Sequence, residues 1–359
     1  MLLRRLWLTD FRSYREADVS FSDGLTAIIG ENGQGKTNLL EAVGYLATLG
    51  SFRGAPTDAL VRSGTAAATI RAEGDRQGRE LLIEAEIVPG GRSRVQVNRQ
   101  RLSRARDLLG ALRVSVFAPD DLELVKGGPA ERRTYLDDTL VSSHPKLDQV
   151  RTELDRVLRQ RNALLRQAGG RLTPDIESTL EVWDAKLVAA SEALAAERVR
   201  LLERLTPALA AAYRQVAHRE VEVSARYTSA WMESGLLQAL AGARRDELRR
   251  GVTLVGPHRD DLELSVGGLP ARTHASQGEQ RSLALALRLA SHEVVTEAAG
   301  SPPVLLLDDV FSELDEGRAA ALLASLPPGQ TLLSSAAGLP REAHPDAVLM
   351  VDGGVVRPA

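Results

Sequence analysis

Hydrophobic and polar positions alternate along much of the first hundred residues, and a period of two is typical of strands that bury one face. Residues 25–29 are instead a mainly apolar run, and residues 114–117 also favour a buried strand. The alternating segments predict an antiparallel sheet beside a buried core. They are residues 2–9, 17–21, 66–72, 81–88 and 94–97.

The period changes from two to 3.6 near Lys126, which predicts helices from there on. An apolar stripe covers residues 145–168, and a Gly169-Gly170 break separates it from a longer helical run that ends near His218. Leucines recur at heptad spacing in that run, but on one side only, so we predict an antiparallel helical hairpin rather than a long coiled coil. These leucines are Leu180, Leu187, Leu194 and Leu201. Further on, the pattern predicts strands at 221–227, 251–255 and 262–266 and a helix at 232–250.

A helical block between two α/β segments indicates an α/β domain with an inserted, mostly helical arm. The predicted fold class is therefore α/β, with a mixed sheet and an antiparallel β subdomain in the main domain. The predicted ranges are 1–125 for the N-terminal part of the head, 126–250 for the arm and 251–359 for the C-terminal part of the head.

Composition narrows the function classes. The 359 residues carry a formal net charge of -3, so any surface for nucleic acid must be a local patch. The absence of cysteine excludes disulfides, thiol catalysis and cysteine zinc sites. Charged residues follow Met1 too soon for a signal peptide, and there is no run of about 18 apolar residues for a membrane helix. We expect a cytoplasmic protein with no membrane partner.

The apolar run at residues 25–29 leads into a phosphate-binding loop of the form G-x-x-x-x-G-K-T. Glycine lets the backbone turn tightly, so that successive N–H groups point inward, and the following helix adds the positive end of its dipole. Lys36 would reach the β- and γ-phosphates of a nucleotide, and the Thr37 hydroxyl would bind Mg²⁺. The predicted binding residues here are Gly30, Glu31, Asn32, Gly33, Gln34, Gly35, Lys36, Thr37 and Asn38.

A second half of the site lies far away along the chain. Four aliphatic residues, 304–307, run into Asp308 and Asp309, which is typical of a buried strand that ends in carboxylates. In a doubly wound sheet such carboxylates lie beside the phosphate loop of a neighbouring strand. Asp308 would hold the Mg²⁺ through water, and Asp309 would polarise the attacking water. The predicted catalytic residues are Lys36, Asp308 and Asp309.

Ser276 and Glu279 form the pattern of a capping box at the start of an apolar helix. The same helix start can bind an anion. A chain with one complete phosphate loop has little use for a second such site unless it meets the nucleotide held by another copy.

Together these motifs resemble an ABC-type ATPase head, with Walker A at 30–37 and Walker B at 304–309. The signature motif would be Ser276, Gln277, Gly278, Glu279 and Gln280, and a D-loop would include Ser312 and Asp315. Within that class the chain is similar to the RecF family of bacterial recombination mediators. The segments that carry this resemblance are 10–14, 117–122, 124–133 and 256–262.

The resemblance implies two ATP molecules held between the Walker motifs of one subunit and the signature of the other in a head-to-head homodimer. It also implies binding of double-stranded DNA and gapped DNA junctions, slow DNA-stimulated ATP hydrolysis, and action with RecO and RecR in loading RecA. Arg12 and Ser13 would lie near the ATP phosphates, with Mg²⁺ on Thr37 and Asp308. A nucleoid-associated protein of DNA repair, DNA replication and the SOS response is expected.

Three departures from the ABC pattern limit this expectation. Asp309 stands where most of these ATPases have Glu, which predicts slow turnover. Ser334 and Ser335 stand at the strand end where many relatives have a switch His. No Gln is present at 115–119, where a Q-loop would be sought.

Charge alone does not identify a DNA surface. The predicted helices mix their arginines with acidic residues, which favours a solvated face, whereas the resemblance favours DNA. The arginines in question are Arg151, Arg156, Arg159, Arg161, Arg166, Arg171, Arg244, Arg245, Arg249 and Arg250.

Two other classes of function compete with a DNA-binding ATPase. An ABC transporter ATPase subunit would explain the Walker and signature motifs, but not the helical block or residues 256–262. A small-molecule kinase or GTPase is poorly supported, because no N-K-x-D guanine motif is present and the distant signature helix would have no role.

Overall fold

The structure, a computed structural model, describes residues 1–314, 316–336 and 338–359. Its strands are β1 (Leu2–Phe11), β2 (Tyr14–Ser20), β3 (Leu25–Ile29), β4 (Ala68–Arg76), β5 (Arg79–Ile87), β6 (Arg94–Val97), β7 (Gln100–Arg101), β8 (Val114–Phe117), β9 (Val223–Thr228), β10 (Asp261–Val266), β11 (Leu269–Pro270), β12 (Val304–Asp308), β13 (Thr331–Ser335), β14 (Ala347–Asp352) and β15 (Val355–Pro358). Its helices are α1 (Lys36–Thr48), α2 (Glu123–Lys126), α3 (Pro129–Ser143), α4 (Asp148–Ala168), α5 (Pro174–Ala217), α6 (Leu236–Arg250), α7 (Ala271–His274), α8 (Gln277–Ala299) and α9 (Glu316–Ala324).

The alternating N-terminal segments form an antiparallel sheet in the order β2-β1-β4-β5-β6-β7. Leu6 and Leu8 of β1 are completely buried, whereas Trp7 lies on the other face between the guanidinium groups of Arg5 and Arg71. One face of the sheet is therefore core and the other carries polar side chains, as the period of two predicted.

In the second sheet, in the order β15-β14-β3-β13-β12-β8, five strands run parallel and β15 is antiparallel. The carboxyl ends of β3, β13 and β12 therefore lie at one edge of the sheet. All residues of β12 are buried, which is expected of a parallel strand covered on both faces. Ser334 of β13 pairs with Ile28 of β3 on one side and with Asp308 of β12 on the other. Strand β12 is thus separated from β3 by β13 and is not its direct neighbour.

Helix α1 packs between these two sheets. Its residues Leu39, Leu40, Val43 and Leu46 are completely buried in a core that both sheets share. The helix begins directly after the phosphate-binding loop, so this packing fixes where the loop lies.

The helical hairpin belongs to a second unit. Arg161 of α4 is hydrogen-bonded to Asp184 of α5, and Leu165 shares a core cluster with Leu180. Because the partner numbers fall as the α4 numbers rise, the two helices run antiparallel, as predicted. The same unit contains a small antiparallel sheet in the order β11-β10-β9.

The chain divides into a first unit of residues 1–122, 211–220 and 281–359 and a second unit of residues 123–210 and 221–280. The predicted ranges placed residues 251–280 in the head. In the structure they lie in the second unit, because β10 pairs with β9 along its whole length.

The strand predicted at 251–255 is wrong. These residues form turns, because side chains rather than a neighbouring strand bind their backbone N–H groups. The N–H of Thr253 donates to Asn162 at 2.7 Å, and the N–H of Leu254 donates to Glu247 at 2.8 Å. A β-like run of residues therefore stays outside any sheet.

Candidate functional site

The loop between β3 and α1 needs glycine at three positions. Gly33 and Gly35 have φ of 81° and 117°, which favour glycine. A Cβ at Gly35 would lie 2.9 Å from the Ser13 Oγ, and a Cβ at Gly30 would lie 2.2 Å from the backbone oxygen of Val351. The tight loop that the sequence predicts is therefore enforced by close contacts on two sides.

Lys36, the first residue of α1, reaches back over this loop. Its Nζ donates to the backbone oxygens of Gly30 at 2.7 Å and Glu31 at 2.8 Å. Partial burial lowers the pKa of the Lys36 ammonium, and the nearby Asp309 and Asp308 oppose that shift. An ammonium held over a helix N-terminus can bind a phosphate group.

Thr37, near the start of α1, contacts Asp308 at the end of β12, although β13 lies between β12 and β3 in the sheet. The Thr37 hydroxyl donates to the Asp308 carboxylate at 2.8 Å, and the Ser334 hydroxyl donates to the same oxygen at 2.7 Å. Burial raises the pKa of Asp308, while the two hydroxyls and the charge of Arg53 oppose the rise. Thr37 and Asp308 are 271 positions apart in the sequence, yet the sheet brings them into contact.

The same pair of side chains fits a magnesium ion. A hydroxyl and a carboxylate are the hard oxygen ligands that Mg²⁺ prefers, and Mg²⁺ commonly takes its other ligands from water and substrate phosphates. Among the described residues there is no cluster of three or more His, Cys, Asp or Glu side chains that would bind a metal by itself. Thr37 and Asp308 would therefore hold the ion together with a bound polyphosphate.

Asp309 follows Asp308 in a left-handed conformation, with φ of 48°. Its N–H donates to the Ser334 hydroxyl at 3.0 Å, and its carboxylate accepts a weak hydrogen bond from the N–H of Ala336 at 3.4 Å. Ser334 therefore contacts both acidic residues, a role that the sequence analysis did not assign to it. A left-handed non-glycine residue is strained, and such strain is common at functional sites.

Ser13 and Asn38 meet beside the loop, whereas Arg12 is engaged elsewhere. The Asn38 amide donates to the Ser13 Oγ at 2.9 Å, and the Tyr14 hydroxyl donates to the backbone oxygen of Gly35, also at 2.9 Å. Arg12 forms two 2.7 Å hydrogen bonds with the buried Glu41 of α1. Its guanidinium thus braces α1, and Tyr14 is a loop contact that the sequence analysis missed.

The C-terminal hairpin of β14 and β15 also braces the loop. The N–H of Gly353 donates to the Gln34 side-chain oxygen at 2.6 Å, and the N–H of Gly354 donates to the Gln34 backbone oxygen at 3.2 Å. Gly353 and Gly354 at the tip of the hairpin have positive φ, which favours glycine. The tip therefore holds both the backbone and the side chain of Gln34.

Arg53 is a further residue that the sequence analysis did not select. It follows α1 in a turn, where its N–H donates to the Ser51 hydroxyl at 3.1 Å, and its positive charge lowers the pKa of Asp308. An exposed cation near this carboxylate is suited to interact with a bound anion.

The predicted signature begins α8, in the second unit. Ser276 and Glu279 form the expected capping box: the Ser276 N–H and hydroxyl each donate to Glu279 at 2.8 Å, and the Glu279 N–H donates to the Ser276 Oγ at 3.3 Å. Ser276 and Gln277 are exposed, Gly278 is half-buried, and the buried Gln280 amide donates to the backbone oxygen of Ala271 at 3.0 Å.

The predicted D-loop is only partly described. The Ser312 hydroxyl donates to the backbone oxygen of Asp309 at 2.7 Å, which links it to the end of Walker B. Asp315 lies outside the described residues.

The amino-acid sequence matches known proteins along nearly its whole length. The family model of the RecF/RecN/SMC N terminal domain matches residues 2–331. The DNA replication and repair protein RecF of Streptomyces avermitilis is 46% identical over 352 residues, which cover 94% of each chain. The corresponding protein of Frankia alni is 44% identical over 378 residues, covering 99% of this chain and 100% of the relative.

Solved structures agree with these matches. A structure of the recombination mediator protein RecF with ATP in the RecFOR pathway has a TM-score of 0.91 and 28% identity, covering 100% of this chain and 97% of that one. An Smc head domain of Pyrococcus furiosus, bound to the C-terminal domain of ScpA, has a TM-score of 0.57 and 19% identity over 99% of this chain and 95% of that one, which shows the fold alone. The predicted fold class, an ABC-type head with a helical insertion, is confirmed. No helix in the described ranges has the length and hydrophobicity to cross a membrane.

Proposed function

Because the chain belongs to the RecF family of DNA replication and repair proteins, we propose that it is an ATP-dependent recombination mediator on double-stranded DNA and gapped DNA junctions. The single observation that carries the ATP site is the Thr37–Asp308 contact, which joins the phosphate loop to the carboxylates at 2.8 Å. Action with RecO and RecR in loading RecA, and association with the nucleoid, follow from the same family membership.

The residues of the loop have distinct tasks in this proposal. The loop N–H groups and the Lys36 ammonium bind the β- and γ-phosphates of ATP, and Thr37 and Asp308 hold Mg²⁺. When bound, Mg²⁺ neutralises charge on the phosphate oxygens. Asp309 orients and polarises the attacking water. Aspartate is one methylene shorter than the more usual glutamate, so we expect slow hydrolysis. Stimulation of this hydrolysis by DNA is proposed from the family membership alone.

The exposed signature of one copy closes over the ATP of another. Ser276 and Gln277 are exposed at the start of a long helix, where the positive end of the helix dipole attracts anions. A head-to-head homodimer would therefore complete two ATP sites, and ATP would control its formation.

The experiment is sedimentation of the protein with and without ATP, using Ser276→Arg and the matched control Ser178→Arg. Both serines are exposed residues of the second unit, but Ser178 lies on α5, far from the signature in sequence. We expect Ser178→Arg to dimerise with ATP like the wild type, and Ser276→Arg to stay monomeric while still binding ATP. Dimers of Ser276→Arg with wild-type ATP dependence would disprove the shared site.

The transporter alternative is not favoured. The relatives that match nearly the whole chain are DNA replication and repair proteins. The match includes the helical arm and residues 256–262, which a transporter ATPase leaves unexplained.

A further inference from the structure

We propose that Arg133 and Arg259 bind backbone phosphates of double-stranded DNA. They lie in the second unit around the turn of residues 253–260, and we call these two arginines with that turn the arginine site. The proposal rests on the proposed DNA-binding function and names the residues that carry part of it.

Half of the ten arginines that the sequence analysis considered for DNA binding form salt bridges within the protein. Arg161 and Arg244 are tied to buried carboxylates, and the others of this group pair with acidic residues on or next to their own helix. Guanidinium groups that are already neutralised in this way gain little from a phosphate. The ion-paired members are Arg151, Arg156, Arg161, Arg244 and Arg249.

The remaining arginines of that set are exposed, and in the described chain their side chains form no hydrogen bond or salt bridge. Without an anchoring contact in the described chain, they offer diffuse attraction rather than a built site. They are Arg159, Arg166, Arg171, Arg245 and Arg250.

Arg133 and Arg259 differ because backbone oxygens hold them in place without neutralising them. Arg133 donates to the backbone oxygen of Asp260 at 2.8 Å, and Arg259 donates to that of Thr253 at 3.3 Å. In the described chain neither forms a salt bridge with a carboxylate. A guanidinium has five N–H groups in a planar fork, so most donors of each arginine remain for a ligand.

Nearby charges leave the arginine site positive. Arg132 and Arg198 are paired with Asp261 and Asp137. Burial and the charges of Arg198 and Arg259 lower the pKa of Arg133, and Asp261 and Asp260 only partly offset this shift. A half-buried cation among other cations is unfavourable by itself. An anionic ligand would relieve that repulsion.

The Asp260 carboxylate forms its hydrogen bonds with residues other than Arg133. It accepts hydrogen bonds from the Tyr227 hydroxyl at 2.5 Å and from the Trp231 indole at 3.0 Å. Its backbone oxygen, not its carboxylate, faces Arg133. The sequence segment that places these groups is the 256–262 motif, to which the ATP site gives no role.

A cavity of about 430 Å³ adjoins Arg259. Thr228, Ser229 and Gly256 line it beside Trp231. Asp260 and Asp261 also line it, but hydrogen bonds engage the Asp260 carboxylate and Arg132 neutralises Asp261. Hydroxyls, backbone N–H groups and arginines are the groups that contact DNA phosphates, and they read no base sequence. The arginine site therefore fits the phosphodiester backbone, and its contribution to affinity should depend on salt but not on sequence.

The experiment measures the affinity for double-stranded DNA with ATP over a range of salt concentrations, for the wild type and Arg133→Gln/Arg259→Gln. Each lost phosphate contact lowers the slope of log K against log salt by about 0.9. We expect the double variant to lose roughly 1.8 from the slope and on the order of 30-fold in affinity near 0.15 M salt. The charge-matched control is Arg156→Gln/Arg249→Gln, which removes two exposed, ion-paired arginines of the same unit and should keep the wild-type slope.

The outcomes separate the two proposals. A wild type that does not bind double-stranded DNA would refute the proposed function itself. A wild type that binds, with the same slope in the arginine-site variant, would refute only the arginine site, and so would an equal loss in the control. If the double variant does not fold, Arg259→Gln alone replaces it, because this residue is exposed and makes one long hydrogen bond. Its slope should then fall by about 0.9.

Discussion

At the scale of single residues, several side chains hold the loop of the proposed nucleotide site in place. Ser334 holds Asp308 and the backbone of Asp309, and Arg12 holds α1 through Glu41. Gln34 links the loop to the C-terminal hairpin. Such contacts reduce the number of conformations that the empty loop can adopt, and less order then has to be acquired when a ligand binds.

Gln34→Met tests this view because methionine keeps the length of the side chain and removes the hydrogen bond from Gly353. One hydrogen bond contributes about 1 kcal/mol, so we expect ATP affinity to fall up to about fivefold and the free energy of unfolding to fall by no more than about 1 kcal/mol. Isothermal titration calorimetry on monomeric protein measures this. Gln100→Met, at an exposed position of β7, is the control and should bind ATP like the wild type. Equal affinity for all three proteins would show that the hairpin does not position the loop.

At the scale of elements, buried salt bridges link the helices α4, α5 and α6 of the second unit. Arg161 is completely buried, with hydrogen bonds to Asp184 of α5 at 2.7 Å and to Glu247 of α6 at 2.6 Å. Polar residues of α5 on the side away from the heptad leucines are therefore not all exposed to solvent. Asp184 and Arg198 are buried and paired, so both sides of this helix contribute to packing.

Arg161→Met should destabilise the second unit strongly. It leaves the Glu247 carboxylate without its cation and removes one of the two arginines that pair with Asp184. Breaking a buried ion pair on one side costs about 3–5 kcal/mol. Urea unfolding should therefore show a large loss for Arg161→Met and a loss of under about 1 kcal/mol for the exposed Arg156→Met. Similar losses in the two variants would mean that the buried network does not hold the helices together.

At the scale of the whole molecule, each unit contains a neutral histidine with a lowered pKa, fully buried in the case of His292 and partly buried in the case of His258. His292 of the first unit contacts the Ser115 hydroxyl at 2.9 Å, and burial lowers its pKa to about 4. His258 of the second unit contacts the backbone oxygen of Thr253, and burial lowers its pKa also to about 4. Between the ordinary pKa of about 6.5 and this value, the unfolded chain binds more protons than the folded one. Stability is then complete above pH 6.5 and decreases as the pH falls towards 4.

We expect His292 alone to lower the free energy of unfolding by about 2 kcal/mol between pH 7.5 and pH 5. His292→Gln cannot take up the proton, so its stability should fall less over this range. Urea unfolding at the two pH values measures the difference, with the exposed His274→Gln as control. A fall as steep in His292→Gln as in the wild type would show that this histidine does not set the acid sensitivity.

The sequence by itself determined the features that a few consecutive residues encode. Glycines at 33 and 35 specify the loop because their φ values suit no other residue so well, and Ser276 with Glu279 specifies a helix start. Alternation and heptad leucines predicted the antiparallel sheet and the helical hairpin, because burial on one face repeats with the backbone period.

Only the tertiary structure decided which distant groups meet. The contact of Thr37 with Asp308 depends on the strand order, which places β13 between them, and no local pattern contains that order. The same holds for Gln34 and Gly353, and for the turn at 251–255, whose N–H groups bind side chains of α4 and α6. Side-chain partners are chosen by packing across the fold, so a residue's type shows that it can pair but not with what.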